Sequence, residues 1–125
     1  MPAPLFLKRQ DEKMKEKIEN LYQKVVEISA AYLIYQERET VKLVKKIIPQ
    51  VQEFTLWFLE GNKFGIEDDL YQSMSRNLLV ILEDILEALK QEDRVLLQDA
   101  LAYGLMGYLE LFIEKEQEEE EDDAV

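Results

Sequence analysis

The sequence predicts an all-α protein, and most simply an antiparallel four-helix bundle. Apolar residues recur at spacings of three and four along most of the chain, as expected of helices that pack on helices. The periodic segments are each roughly twenty residues long and are separated by short polar links. A length of 125 residues suits one domain that can bury a core without disulfides.

The clearest element is a helical hairpin over residues 66–114, whose two arms are joined by the polar link 90–93. The first arm carries two adjacent apolar rows and one polar strip, a pattern that is typical of a helix contacting two neighbours. Carboxylates in its first turn favour a helix start. The first row is Tyr71, Met74, Leu78, Ile81, Ile85 and Ala88, and the second row is Leu79, Leu82, Leu86 and Leu89.

The second arm begins near Asp93, a good N-cap residue, and is apolar on nearly every side. Such a helix is normally buried, but the polar residues within it and its short apolar run argue against a membrane span. Its predicted packing seam is Leu97, Leu101, Gly104, Tyr108 and Leu111.

The amino-terminal half predicts the other two helices. The first has apolar residues at helical spacing from residue 11 to Tyr35, and the pattern loses its register at residues 36–40, which we interpret as a turn. The second runs over 40–60 and stops at Gly61, before a loop at 61–65. The alternative is one continuous helix over 11–60, which would favour an intertwined dimer.

The two ends of the chain differ from the body. We predict a flexible amino terminus at 1–10, one helical domain at 11–115 and a disordered acidic tail at 116–125. The net charge is −12, and residues 114–123 hold eight acids and one lysine, a net charge of −7. The body is therefore only mildly acidic.

The composition argues against catalysis. Cysteine and histidine are both absent, which excludes a thiolate, an imidazole base and the nitrogen and sulfur ligands of zinc. We therefore expect no enzyme activity, no metal and no cofactor. Clustered positive charge is lacking in the acidic half, so nucleic acid is not an expected partner. No secretory signal or membrane span is recognised, and cytoplasmic location is the default expectation.

The expected function is a noncatalytic protein–protein interaction or adaptor module that presents an apolar face of the last helix to a protein partner or to a second copy. The first three helices do not need to cover every side of that helix. Its candidate partner face is Tyr103, Met106, Glu110 and Ile113, which follow helical spacing.

A second hypothesis is a small-ligand-binding bundle. Small residues beside large aromatic ones can form a pocket, and the two glycines in the last helix cost helix propensity. The candidate pocket residues are Trp57, Phe58, Gly104 and Gly107. Close approach of a neighbouring helix is the simpler interpretation of the glycines.

Residues 82–89 and 97–110 resemble the closing hairpin of a group of small, acidic, uncharacterised bacterial helical-bundle proteins, in which an Asp-x-Leu-x-Tyr stretch leads into a leucine-rich end. Those proteins often carry proline where this chain has Gly107. The resemblance implies a helical bundle and no particular activity. In size, acidity and helical design the chain is also similar to bacterial flagellar export chaperones, which implies a chaperone-like binder of an exported helical protein as a further alternative.

Overall fold

The computed structural model of the chain describes residues 5–35 and 39–113, with side chains for residues 12–34 and 39–113. All regular secondary structure in these ranges is helical, which confirms the all-α prediction. The helices are α1 (Leu5–Tyr35), α2 (Glu39–Leu59), α3 (Asp68–Gln91) and α4, which is built from Arg94–Gln98, a π-helical segment Asp99–Leu105, and Met106–Glu110.

The first two helices are antiparallel. The Lys17 Nζ lies 3.0 Å from Glu53 Oε2, and the Lys24 Nζ donates to Gln50 Oε1 at 3.4 Å. Residue numbers rise along α1 as they fall along α2, so the chain reverses between them. A single helix over 11–60 is therefore excluded.

The last two helices form the predicted hairpin. Gly104 of α4 lies against Ile81 of α3, and Tyr108 contacts Met74 and Asn77. The connection is short because α3 ends with Glu92 in the left-handed conformation, at φ 54°. The Asp93 side chain then accepts a hydrogen bond from the Leu96 backbone N–H at 3.1 Å, which confirms Asp93 as the N-cap.

Several boundaries differ from the prediction. Helix α1 begins at Leu5 instead of near residue 11, because residues 5–10 contain no glycine or proline and are mostly good helix formers. Helix α2 begins at Glu39, inside the predicted turn, and α3 begins at Asp68. Residues 1–4, residues 36–38 and the predicted disordered tail at 116–125 lie outside the described residues.

The core runs along the axis of the bundle and takes apolar side chains from all four helices. Both Phe54 and Phe58 are almost completely buried, and they fill one end. Burial of this kind stabilises a fold by about 25 cal/mol per Å² of apolar surface. The other core residues include Ile18, Leu21, Val25, Val44, Val51, Leu78, Ile85, Leu97, Leu101, Leu105 and Leu109.

The π-helical segment changes which face of α4 is buried. Leu97, Leu101, Leu105 and Leu109 are all 0% exposed, although they are four residues apart. In an α-helix each residue advances by about 100°, so two residues four apart differ in direction by about 40°. Over the three intervals from Leu97 to Leu109 this difference adds up to about 120° around the helix. A π-helix accommodates an extra residue per turn and removes most of this drift. The four leucines therefore share one face.

The predicted seam of α4 is consequently correct for Leu97, Leu101, Gly104 and Tyr108 and wrong for Leu111. Leu111 is 61% exposed, because the extra residue in the π-helical segment rotates the end of the helix relative to a regular α-helix. Leu105 and Leu109 occupy the buried positions instead. Leu105 and Leu109 thus lie in the core, and Leu111 lies at the surface.

The two glycines of α4 have different surroundings. A Cβ atom at Gly104 would lie 3.1–3.2 Å from three carbon atoms of the Ile81 side chain, whereas a Cβ atom at Gly107 would have no such neighbour within 4 Å. Gly104 thus permits the close approach of α3 and α4. Gly107 makes no comparable packing contact.

We expect Gly107→Ala to raise the free energy of unfolding by about 1 kcal/mol, because alanine has the higher helix propensity. Gly104→Ala should gain the same propensity but lose more through crowding at Ile81, so that it unfolds more easily than Gly107→Ala by about 1–2 kcal/mol. Urea denaturation of the two variants measures this difference. Equal stabilisation of both would show that Ile81 yields without cost.

Candidate functional site

An aromatic cluster occupies the end of the bundle where α2 ends, α3 begins and α4 ends. Phe58 is at its centre and is 1% exposed. Its ring stacks on Phe64 and Tyr71, with centroid distances of 5.0 and 5.5 Å, and meets the edge of Tyr108 at 5.7 Å. Contacts of this type add to the stabilisation from burial. The cluster is completed by Phe54, Trp57 and Phe112.

Two tyrosine hydroxyls hold the helices around this cluster. Tyr71 Oη donates to the Phe58 backbone carbonyl at 2.6 Å, which links α3 to the end of α2. Tyr108 Oη donates to the Met74 carbonyl at 2.9 Å and accepts from Asn77 Nδ2 at 2.8 Å, which links α4 to α3. The rings pack apolar surface while the hydroxyls satisfy polar partners.

The loop between α2 and α3 brings Phe64 into the cluster. Asn62 Nδ2 donates to the Ile66 carbonyl at 2.6 Å and to Asp68 Oδ1 at 3.0 Å. Gly65 has a φ of 76°, a conformation that glycine adopts at little cost. The loop is therefore closed by its own hydrogen bonds, and Phe64 faces inward between Trp57 and Tyr71.

One side of the cluster carries a lysine. Lys63 Nζ donates to the Trp57 carbonyl at 3.0 Å, pairs with Glu60 Oε2 at 2.9 Å and lies 4.5 Å from the centroid of a Trp57 ring. A cavity of about 240 Å³ lies on this side, lined by Lys15, Ile18, Trp57, Lys63, Phe64 and Phe112. The Lys63 ammonium is thus already bound within the chain.

A second cavity borders the same cluster, and Phe64 and Phe112 line both. A cavity of about 550 Å³, which we call the α3–α4 groove, lies between the start of α3 and the end of α4. Two of its residues are strongly exposed, Leu70 at 51% and Leu111 at 61%. All its lining side chains are apolar, namely Phe58, Phe64, Ile66, Leu70, Met74, Leu111 and Phe112.

The groove depends on the π-helical segment. Leu111 would belong to the buried seam if α4 kept a regular α-helical register, and it lines the groove because its register is shifted. Leu70 lies on the side of α3 that faces this end of α4, four residues before Met74. An exposed concave surface made only of apolar side chains is typical of an interaction site.

The four predicted pocket residues do not all meet. Trp57 and Phe58 both belong to the aromatic cluster. Trp57 lines the cavity of about 240 Å³ and Phe58 lines the α3–α4 groove, and Phe64 and Phe112 line both. Gly104 is covered by Ile81 instead, and Gly107 is exposed.

The predicted partner face has mixed burial. Tyr103 is 84% exposed, whereas Glu110 is half-buried and Met106 and Ile113 pack against the core with part of their surface accessible. Their role in binding stays a prediction. The sequence pattern does not indicate Leu70 or Leu111 as site residues. Leu70 lies outside both predicted apolar rows of the first arm, and the pattern assigns Leu111 to the core.

Among residues 12–34 and 39–113, no three carboxylates are grouped so that they could hold a metal ion. None of the helices in the described part of the chain is long and apolar enough to cross a lipid bilayer. Comparison of the chain with protein-family models, with curated proteins and with solved structures gave no match.

Proposed function

We propose that the chain is a noncatalytic protein-binding module whose α3–α4 groove receives the apolar side of a helix from another protein. The observation that carries this proposal is the groove of about 550 Å³, in which every lining side chain is apolar. Helices commonly bind other proteins by laying an apolar face into such a groove. The groove lies partly at the end of the last helix, where Leu111 and Phe112 directly follow Glu110.

The lining favours a polypeptide over a small metabolite. Small-molecule sites combine apolar walls with a few polar groups that orient the ligand. The α3–α4 groove has apolar walls without polar side chains, so it offers contact area and little directional recognition. A docking helix requires this kind of surface, because the backbone hydrogen bonds of the helix are satisfied internally and its apolar side chains make the contact.

The same lining supports a noncatalytic role. General acid–base and nucleophilic catalysis require a titratable or nucleophilic side chain at the reacting atom. The groove presents phenylalanine, leucine, isoleucine and methionine. The chain contains neither cysteine nor histidine that could be brought to it.

The proposal predicts that a photocrosslinking amino acid at position 111 captures a polypeptide in the native cell. The matched control is position 80, because Val80 is 50% exposed on α3 but does not line the groove. We expect an adduct from position 111 and none from position 80, with gel shift and mass spectrometry as the measurement. Position 106 tests the Met106 side of α4 in the same experiment.

Equal crosslinking at 80 and 111 would indicate nonspecific contact, and an adduct at 106 alone would move the site to the predicted partner face. A thermal-shift screen addresses the small-ligand alternative. Stabilisation by one class of metabolite that Trp57→Ala abolishes would support a pocket instead of a protein-binding groove.

A further inference from the structure

We propose that the occupant of the α3–α4 groove is a cationic amphipathic helix, whose apolar side chains enter the groove and whose lysines and arginines face the acids around it. This inference rests on the proposed function and adds the chemical class of the partner. It is carried by the contrast between the apolar floor of the groove and the charges at its edges.

Acidic residues are adjacent in sequence to lining residues of the groove at the start of α3 and at the end of α4. Glu67, Asp68 and Asp69 directly precede Leu70, and all three are exposed. Glu110 directly precedes Leu111 on the other side. An incoming helix that buries its apolar side chains between Leu70 and Leu111 must therefore bring its polar flanks close to carboxylates.

The basic residues of this region do not offset these acids. Residues 60–76 hold four acids and two bases, Lys63 and Arg76, and Lys15 of α1 lines the neighbouring cavity. Lys63 forms an ion pair with Glu60 and lies over Trp57, so its charge is already balanced within the loop. The remaining acids at the start of α3 thus set the local sign of the electrostatic potential.

The carboxyl-terminal segment is also negatively charged. Residues 114–123 carry a net charge of −7 and follow directly after Phe112 and Ile113, at the end of the groove. Attraction of a cationic partner from a distance would raise its association rate and select against acidic partners.

Two other occupants fit less well. The chain's own acidic segment would have to bury carboxylates against phenylalanine and leucine, which is costly without paired charges. A second copy would bring together two chains with a net charge of −12 each, with the same acids at both edges. Like charges that face each other across an interface oppose association.

The test uses three synthetic amphipathic peptides of about 18 residues, a length that forms a helix on binding. The peptides share one apolar face of leucines and differ in the polar face, which is lysine, glutamine or glutamate. Binding to the full chain is measured by fluorescence anisotropy. We expect the lysine peptide to bind about tenfold more tightly than the glutamine peptide, as a few exposed ion pairs together would produce, and the glutamate peptide not to bind.

Two variants locate the interaction. Leu70→Ala with Leu111→Ala should weaken the lysine and glutamine peptides alike, because it removes apolar surface from the groove. Glu67→Gln with Glu110→Gln should weaken the lysine peptide several-fold and leave the glutamine peptide unchanged. Raising salt from about 0.05 M to about 0.5 M should reduce the lysine preference in the same way.

The outcomes separate this inference from the proposed function. Equal binding of the lysine and glutamine peptides, both reduced by the leucine substitutions, would overturn the cationic partner and keep the protein-binding groove. Lysine-peptide binding that ignores the leucine substitutions would place the contact on the acidic segment alone and overturn the inference. Concentration-dependent dimerisation that Leu70→Ala with Leu111→Ala abolishes would identify a second copy as the occupant.

Discussion

Phe58→Ala is expected to lower the free energy of unfolding by about 3–5 kcal/mol, a large share of the total stability of an ordinary domain. Phe58 is 1% exposed. Its ring contacts the rings of Phe54, Phe64, Tyr71, Tyr108 and Phe112. Its removal leaves a cavity that these neighbours fill only in part. Chemical denaturation followed by circular dichroism measures the loss.

Tyr103→Ala is the matched control, because Tyr103 is also a helical aromatic residue but is 84% exposed. We expect a change within about 0.5 kcal/mol, as for most surface substitutions. A similar loss for both variants would mean that Tyr103 is buried in solution, for example by self-association. A small loss for Phe58→Ala would mean that the aromatic cluster is not the packed end of the bundle.

Leu105→Ala should cost about 2–5 kcal/mol, whereas Leu111→Ala should change stability by less than about 0.5 kcal/mol. Leu105 is 0% exposed and Leu111 is 61% exposed, although a regular apolar seam through α4 would assign Leu111 to the core. The pair therefore reports directly on the π-helical register of Asp99–Leu105. Urea denaturation of the two variants under identical conditions provides the comparison.

The reverse result, a stable Leu105→Ala and an unstable Leu111→Ala, would show that α4 is a continuous α-helix in solution. The α3–α4 groove would then lose one of its two leucines to the core, and with it the surface on which the proposed function depends. The stability experiment thus also tests the binding site, without requiring a partner.

The sequence determined the helical class and most of the helix pairing. Every residue of the predicted row from Tyr71 to Ala88 is buried or half-buried in α3, and Asp93 caps the last helix as its side-chain chemistry predicts. These predictions hold because apolar spacing and capping act within a single helix. The absence of cysteine and histidine is likewise read directly from the chain, and it limits the chemistry available at any site.

The register of α4 was decided only by the tertiary structure. An apolar pattern on nearly every side of a helix is compatible with several buried faces, and the usual assumption of 3.6 residues per turn selects the wrong one at Leu111. The fit of Gly104 against Ile81 and the packing of Leu105 and Leu109 into the core favour the π-helical segment instead. Because these contacts join residues that are distant in sequence, the groove that they expose could not be predicted from local spacing.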